Sequence, residues 1–365
     1  MDSSLRVLEV VQSLERGGRT VRFITTVSGL RDNGVFVLPI SFKTPHSSDQ
    51  QPDQLEVLHT KAFDGPCIFY NLVRLIKKHR INLVHCHCDR SMIWAGLAAK
   101  VCNVPTVLTF HRSILRYYQK NRINRILNRL ANCFVAVSEQ RRQLLMQNLG
   151  LSEQRCLANH AGVDTHIEPL QPAQVRKKLN LPEQQTVLFS AGHLGRIKGH
   201  QDTLKAFQLL PQRDNCKLYI AGSGSKKETK ALLRYRDKLG LQEQVEFLGQ
   251  INNTAEWMEA ADIFVQPSLE EAFGLVFIEA GLRHTPVLAT KVGGIPDIVI
   301  DGETGFLVPA AKPELLATTM AKLIDSEALR ERLGEAAEQR VRSQFDTQHM
   351  INNYLGIFNQ LLKEA

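Results

Sequence analysis

The sequence lacks features that would place it in several common classes of protein. No apolar run reaches the roughly 20 residues that a membrane-spanning helix needs. No G-x-G-x-x-G follows the first apolar run of either half, which argues against a dinucleotide-dependent oxidoreductase. The N-terminus, MDSSLRVLEVVQSL, has no basic segment before its apolar stretch and is not typical of a signal peptide. We therefore expect a cytoplasmic protein.

The cysteines do not indicate a disulfide framework. The chain has 7, an odd number, and several lie in apolar runs, so reduced thiols are expected.

One segment, His85-Cys86-His87-Cys88, has the residue types of a metal site. Alternate residues of a strand point to opposite faces, however, and no second ligand pair follows at zinc-finger spacing. We predict no metal at this segment.

Acidic residues are absent between Arg90 and Ser138, and the whole chain carries a net charge of +8. A basic field of this kind attracts anionic partners. Within it, residues 114–130 alternate arginines with apolar side chains, a pattern typical of a helix on an anionic membrane surface. An ordinary helix with a solvated basic face explains the pattern equally well. The basic residues of the stretch are Arg90, Lys100, Arg112, Arg116, Lys120, Arg122, Arg125 and Arg129.

Two α/β domains are predicted from length and from the pattern of apolar runs. A chain of 365 residues exceeds the roughly 250–300 residues that one core supports. Apolar runs at 7–11, 36–40, 82–87, 106–109 and 133–137 alternate with candidate helices near 18–33, 68–80, 91–103, 119–131 and 138–149. After a polar, proline-containing linker at 164–184, a second series has strands near 186–191, 217–221, 244–248, 262–266 and 286–289. Such alternation predicts parallel sheets covered by helices.

The most specific motif lies in residues 266–309. Glu271 and Glu279 are separated by seven residues, Phe273-Gly274 follows the first, and the runs TPVLATKVGGIPD and DGETGFLVP come after them. This resembles the E-x7-E signature of family 4 retaining glycosyltransferases, which have the GT-B fold. The apolar pattern from Phe273 to Gly281 predicts a buried helix, and a helix N-terminus is a natural site for phosphate or sugar oxygens.

The resemblance implies an architecture and an activity. It implies two Rossmann-like domains facing across a cleft, which we place at residues 1–165, the acceptor domain, and 166–345, the nucleotide-sugar domain. Residues 346–365 would form a helix that crosses back to the N-terminal domain, although the pattern alone fits a helix packed on its own domain equally well. The reaction would move a hexose or N-acetylhexosamine from a nucleoside diphosphate sugar, with UDP the expected nucleotide, to an acceptor hydroxyl.

The resemblance also assigns the donor site. Glu271 and the backbone of residues 272–275 would hold the sugar hydroxyls, and Glu279 would hold the ribose. Lys198 matches the lysine of the family's G-R-L-x-x-x-K-G segment, which holds the diphosphate. The position where the family usually has an arginine holds His193 instead. Arg196 could supply the missing guanidinium. The backbone residues are Ala272, Phe273, Gly274 and Leu275.

Three further positions match the family in the expected order. The glycine loop Gly17-Gly18 would lie beside the donor phosphates, although alone it is usually a simple turn. His111, in Thr109-Phe110-His111, would lie beside the reacting sugar, where we expect it to have a catalytic role together with Glu271. Ile251 would line the nucleobase pocket. A second departure is Ala161, which stands where the family usually has an asparagine and puts the acceptor side in doubt.

No Asp-x-Asp occurs, so a metal-independent reaction without a cofactor is expected. The resemblance suggests a glycan or lipid-linked acceptor in a bacterial envelope glycan such as lipopolysaccharide core, with possible attachment to the cytoplasmic face of the inner membrane. Two alternatives remain open. One is another GT-B enzyme, such as a nucleotide-sugar epimerase or a sugar phosphorylase. The other is a non-catalytic protein that binds membranes or polyanions; nucleic acid is not an expected partner.

Overall fold

A computed structural model describes residues 4–15, 17–45, 51–58, 65–112, 114–119, 121–168, 170–181, 184–211 and 213–364. The side chains of Arg116 and Tyr117 lie outside the described set. The chain divides into two compact units. The first unit comprises Met1–Gly162 and Thr347–Ala365, and the second comprises Val163–Asp346. The predicted boundaries at 165/166 and 345/346 lie within three residues of these divisions.

The first unit is a seven-stranded parallel sheet with helices on both faces, in the strand order β3-β2-β1-β4-β5-β6-β7. Its strands are β1 (Arg6–Val11), β2 (Phe36–Ser41), β3 (Glu56–Val57), β4 (Leu83–Cys86), β5 (Thr106–Phe110), β6 (Cys133–Ala136) and β7 (Cys156–Ala158). Its helices are α1 (Gly18–Asp32), α2 (Gly65–Lys78), α3 (Asp89–Val101), α4 (Arg122–Leu130), α5 (Glu139–Leu149) and, after the second unit, α14 (Thr347–Glu364).

The two faces of this sheet differ in chemistry. One face is apolar, since Leu8, Val10, Val84, Cys86 and Leu108 belong to one core cluster with helices α2 and α3. The opposite face carries buried polar side chains on the same strands, because successive strand residues alternate between faces. The polar residues of that face include Glu9, His85 and Thr109, each fully buried.

Helices α1 and α14 cover the polar face. The α14 side chain of Tyr354 packs against the His85 ring with a centroid separation of 4.9 Å. Arg22 of α1 donates from Nη2 to the Tyr354 hydroxyl at 2.8 Å. The C-terminal helix therefore belongs to the first unit and completes its core.

The second unit is a six-stranded parallel sheet in the order β10-β9-β8-β11-β12-β13. Its strands are β8 (Thr186–Ala191), β9 (Cys216–Ala221), β10 (Val245–Gly249), β11 (Ile263–Gln266), β12 (Val287–Thr290) and β13 (Gly305–Val308). Its helices are α6 (Pro172–Lys178), α7 (His200–Gln208), α8 (Lys226–Lys238), α9 (Thr254–Ala260), α10 (Leu275–Leu282), α11 (Ile295–Ile298), α12 (Pro313–Ile324) and α13 (Glu327–Gln344).

The predicted alternation of strands and helices agrees with both units, and the differences lie at edges and ends. The short edge strands β3, β7 and β13 were not predicted, because two to four residues carry too little periodicity. Helix α10 begins at Leu275 rather than at Phe273. Gly274 precedes it with φ +110°, in the left-handed region, so the residues before Leu275 cannot continue the helix backwards.

Candidate functional site

The carboxyl ends of the second sheet form a continuous edge of hydrogen-bonded loops. The Gly192 N–H donates to the Ala221 carbonyl at 3.0 Å, and the Gly222 N–H donates to the Gly249 carbonyl at 2.8 Å. At Gly222 a Cβ would stand 1.8 Å from the Gly192 carbonyl oxygen, so only glycine fits. Ile251, predicted to line a nucleobase pocket, follows β10 in this edge and is half-buried. Ligands of open parallel sheets bind at such an edge.

Lys198 and Glu271 form an ion pair at the same edge. Residues Arg196–Lys198 make one turn of 3-10 helix between β8 and α7. The Lys198 Nζ lies 2.5 Å from Glu271 Oε2, and the two side chains are 19% and 8% exposed. An opposite charge at this distance offsets much of the cost of removing the carboxylate from water. The structure thus brings together the two residues that the sequence assigned to diphosphate and sugar.

The Glu271 loop is held from two sides. On one side the Leu269 N–H donates to the Ile197 carbonyl at 2.7 Å. On the other side Gly293, in the V-G-G run, packs against the Glu271 backbone so closely that a Cβ at Gly293 would stand 1.7 Å from the Glu271 carbonyl oxygen. The Thr290 hydroxyl donates to the Ser268 carbonyl at 2.5 Å. These contacts fix the backbone that presents the carboxylate.

Helix α10 starts next to this pair and carries Glu279. Ala272, Phe273 and Gly274 lie in the loop before the helix and are buried, and Leu275 is its first residue. The first intrahelical hydrogen bond runs from the Phe277 N–H to the Gly274 carbonyl at 3.0 Å, so the Leu275 N–H precedes it. A helix start of this kind presents backbone donors and a partial positive charge.

Glu279 is a half-buried carboxylate without a counter-charge. Burial raises its pKa above the ordinary value. No hydrogen-bond donor or cation among the described residues faces it. A carboxylate held partly out of water and unpaired gains from any ligand that brings hydrogen-bond donors.

The other predicted cation does not contact the pair. Arg196 is exposed, and its guanidinium has no ion-pair partner within the described part of the chain. His193, at the departure position, is also exposed, with Nε2 3.9 Å from Glu228 Oε1. The structure therefore leaves the Arg196 role as a prediction.

The first unit holds the remaining predicted residues. Gly17 is the N-cap of α1 with φ +141°, and Gly18 begins the helix. No described atom lies within 4 Å of where a Gly17 Cβ would stand, so the space at this helix start is open. His111 follows β5 and is half-buried. Burial, and repulsion by the neighbouring basic groups His87, Arg22, Arg19 and His85 of any positive charge placed on the ring, hold its pKa well below the ordinary range, so the ring is neutral at pH 7.

His111 ends a chain of buried polar groups that the sequence did not predict. Its Nε2 lies 3.3 Å from His87 Nδ1. His87 Nε2 lies 2.7 Å from Glu9 Oε2, and Glu9 Oε1 lies 2.9 Å from His85 Nδ1. His85 Nε2 in turn lies 2.7 Å from the Thr109 hydroxyl. Burial alone would raise the pKa of Glu9, but the two histidines outweigh it and lower it to about 2.

The three buried residues Glu9, His85 and His87 have the donor types of a metal site, and their ligand atoms lie within 4.8 Å of one another. Each carboxylate oxygen is hydrogen-bonded to a different histidine, at 2.9 and 2.7 Å. All three side chains are fully buried. Their arrangement fits a hydrogen-bonded network better than a shared ion. The predicted division of faces is observed for Cys86, which belongs to the apolar core on the opposite face, whereas Cys88 lies beyond the end of β4 and precedes α3.

Glu9 could have been suspected from the sequence, since it is the only charged residue in the apolar run from Val7 to Val11. Its pairing could not. Glu9 is in register with His85, 76 residues later, because β1 and β4 are neighbours in the sheet. Chain connectivity alone does not reveal this neighbour.

The predicted single basic helix at 114–130 is wrong in form. The segment is a 3-10 turn, Leu115–Tyr118, followed by the separate helix α4. The Asn121 side chain caps α4 by accepting from the Asn124 N–H at 2.8 Å, which explains the break. Tyr118 is buried, whereas Ile123 and Ile126 are 49% and 44% exposed. Predictions that involve Arg116, Tyr117 and Lys120 lie outside the described residues.

Two family models and several known proteins are similar to this chain. The family model "Glycosyl transferases group 1" matches residues 173–340, and "Glycosyltransferase Family 4" matches residues 16–167. The N-acetyl-alpha-D-glucosaminyl L-malate synthase of Bacillus anthracis is 29% identical over 191 residues, 52% of this chain and 50% of that protein. The D-inositol 3-phosphate glycosyltransferase of Streptomyces scabiei is 30% identical over 294 residues, 72% of this chain and 64% of that protein. The chain thus spans only part of each relative's length.

Among solved structures, Anabaena Alr3699/HepE in complex with UDP and glucose superposes with a TM-score of 0.85 at 21% identity, covering 98% of this chain and 100% of that chain. The predicted fold class, α/β with two Rossmann-like domains of the GT-B type, is confirmed. Within the described residues, no helix combines the length and apolar character that a membrane crossing requires.

Proposed function

Because the chain belongs to the group 1, family 4 glycosyltransferases, we propose that it moves a hexose or N-acetylhexosamine from a nucleoside diphosphate sugar to an acceptor hydroxyl. The observation that carries the proposal is the largely buried Lys198–Glu271 pair beside the start of α10, with Glu279, which no described residue pairs, on that helix. It combines a cation for a diphosphate with carboxylates for hydroxyl groups. A UDP-linked sugar is the proposed donor.

Each part of the donor has a chemical counterpart. Glu279 accepts from two ribose hydroxyls, which supplies the donors that its carboxylate lacks. Lys198, with Arg196 reaching in from the loop surface, holds the diphosphate. Glu271 and the backbone from Ala272 to Leu275 hold the sugar hydroxyls. Ile251 lies against the base, and the Gly17-Gly18 helix start faces phosphate oxygens.

The proposed reaction retains the anomeric configuration and needs no metal. The bond from the anomeric carbon to the diphosphate breaks, a bond to the acceptor oxygen forms on the same face, and the acceptor proton passes to the leaving phosphate. Charge grows on that phosphate as the bond breaks, so Lys198 stabilises the transition state more than the ground state. Glu271 is not the nucleophile in this scheme, because the acceptor oxygen itself forms the bond to the anomeric carbon.

For the acceptor we propose a lipid-linked sugar or envelope glycan such as lipopolysaccharide core, met at the cytoplasmic face of a membrane. The support is the surface around α4, where Leu115, Ile123 and Ile126 are 46%, 49% and 44% exposed among arginines. Apolar side chains beside cations suit an anionic bilayer surface. Binding to vesicles containing anionic lipid tests this. Loss of that binding in Ile123→Ser/Ile126→Ser supports the surface, and no binding by the wild type at any salt concentration removes it.

A second candidate acceptor is a small anion. The two relatives are named for L-malate and D-inositol 3-phosphate, both of which are negatively charged. The basic stretch of this chain, without an acidic residue from 90 to 138, fits such an acceptor too. Transfer to a soluble anion without vesicles favours this candidate over the membrane one.

A donor panel tests the proposed activity. The protein is mixed, with EDTA present, with UDP-glucose, UDP-galactose, UDP-GlcNAc, GDP-mannose and ADP-heptose, and thermal stabilisation and slow donor hydrolysis are followed. One donor should stabilise and be hydrolysed by the wild type but not by Lys198→Ala or Glu279→Ala. An epimerase would convert the sugar without releasing it. A non-catalytic polyanion binder would respond to heparin and not to any donor.

A further inference from the structure

Hydrogen bonding assigns a direction to the buried polar network of the first unit, defined as Arg22, Tyr354, Thr109, His85, Glu9, His87 and His111. Arg22 has only donors, so Tyr354 must accept from it, at 2.8 Å from Nη2. The Tyr354 hydroxyl can then donate to the Thr109 hydroxyl, 2.9 Å away. Thr109 donates to His85 Nε2, and the His85 Nδ1–H donates to Glu9. From the Tyr354 hydroxyl to Glu9, every hydrogen of this branch has an acceptor.

The other branch leads outwards from the same carboxylate. Ionised Glu9 only accepts, so His87 must carry its proton on Nε2, which lies 2.7 Å from Glu9 Oε2. Burial lowers the pKa of His87 to about 4, so the ring is neutral and its Nδ1 is an acceptor. That acceptor is 3.3 Å from His111 Nε2, and the two rings are inclined by only 23°. The His111 proton therefore lies on Nε2, and its Nδ1 carries a free lone pair.

We propose that Glu9 is a positioning residue that fixes, through His87, the tautomer in which His111 presents Nδ1 as a hydrogen-bond acceptor. His111 would then accept a hydrogen bond from a substrate hydroxyl and could not donate one to it. This deepens the proposed function, on which it rests for the identity of that hydroxyl. The hydrogen-bond chain itself is independent of which substrate binds.

The isosteric change Glu9→Gln gives a distinctive test, because an amide has one acceptor and one donor end. If the amide nitrogen faced His85, the inner branch would have to reverse, and one hydroxyl hydrogen of Thr109 or Tyr354 would be left without an acceptor. A buried unpaired donor is costly. If the nitrogen faces His87, the outer branch reverses instead, and His111 ends with its proton on Nδ1 at the half-buried end. The second amide hydrogen costs the same in either orientation, but the second arrangement leaves no hydroxyl hydrogen unpaired, so Glu9→Gln should invert the His111 tautomer.

The measurement is nitrogen NMR of the full chain with ring-15N histidine, which distinguishes protonated from bare ring nitrogens. The chain has 12 histidines, so the His111 signals are assigned by their loss in His111→Asn. We expect Nε2 protonated in the wild type and Nδ1 protonated in Glu9→Gln. Tyr354→Phe is the matched control: it weakens the inner branch of the same network and should leave the His111 tautomer unchanged. A wild-type Nδ1 proton, or no inversion in folded Glu9→Gln, overturns the proposal.

Donor turnover provides a second test, in which the side-chain amide of asparagine or glutamine replaces the His111 ring. Asparagine places its oxygen near the position of Nδ1, and glutamine places it near Nε2. His111→Asn should therefore keep about tenfold more donor turnover than His111→Gln, the value of roughly one hydrogen bond. The opposite order contradicts the proposal. If no donor is turned over by the wild type, the proposed function fails, and the NMR result still decides the role of Glu9.

Discussion

Replacement of Glu279 by glutamine should change stability and donor affinity in opposite directions. Burial raises the pKa of Glu279 in the folded chain, and no described donor pairs with it. A group whose folded pKa is raised costs stability when it is ionised, and that cost disappears as the pH falls through the folded pKa. Glu279→Gln should therefore raise the free energy of unfolding at pH 7.5 and make little difference below pH 4, where the carboxyl is already protonated.

The effect on UDP follows from the hydrogen bonds. Two ribose hydroxyls can donate to the two carboxylate oxygens, whereas glutamine offers one oxygen. A hydrogen bond to a charged group contributes about 1.5–3 kcal/mol, so the Kd for UDP should rise roughly 10- to 150-fold. Calorimetric titration with UDP measures the affinity, and urea unfolding measures the stability. Glu259→Gln is the control, since Glu259 is also buried but is paired with Arg283 3.4 Å away. Unchanged UDP affinity in Glu279→Gln would refute the ribose assignment.

Three further predictions follow from single contacts. Lys198→Met should lower the rate of donor hydrolysis by roughly 10²–10³-fold and destabilise the fold. The double variant Lys198→Met/Glu271→Gln should regain stability but not activity. Rate assays measure the activity, and urea unfolding measures the stability. Gly199→Ala should destabilise more than Gly240→Ala in thermal unfolding: both glycines have φ near +70°, but only at Gly199 would a Cβ meet a backbone oxygen, at 1.9 Å. Burial lowers the pKa of His87 from 6.5 to about 4, so the free energy of unfolding should fall by about 2 kcal/mol between pH 7.5 and pH 5. A stability that does not change over this pH range would contradict the burial of a neutral His87.

Much of the fold could be predicted because its strands are apolar and regularly spaced. The runs at Val7–Val11 and Thr186–Ala191 became β1 and β8, which are interior strands of the two sheets. Edge strands such as Glu56–Val57 were not predicted, since two half-buried residues show no periodic pattern of apolar side chains. The predicted helix was longer than the observed α4, because the Asn121 side chain caps α4 within a segment whose composition is continuous.

The candidate site was predictable where it is local in sequence and not where it depends on sheet order. Glu271 and Glu279 lie on one loop and helix, so their spacing was informative. The Lys198–Glu271 contact joins residues 73 apart; the family resemblance assigned both residues to one donor site but did not predict their contact. Glu9 and its histidines come together through the pairing of β1 with β4, which no local pattern encodes.

The most direct test of the central claim is proton NMR of the purified chain with UDP-glucose and the other donors, with EDTA present. An α-linked donor should give UDP and a free sugar that appears first as its α anomer, since retention leaves the new bond on the original face. Lys198→Met should release neither at a comparable rate. First appearance of the β anomer would contradict the retaining reaction. No turnover of any donor, together with no nucleotide binding, would contradict the account of this chain as a glycosyltransferase.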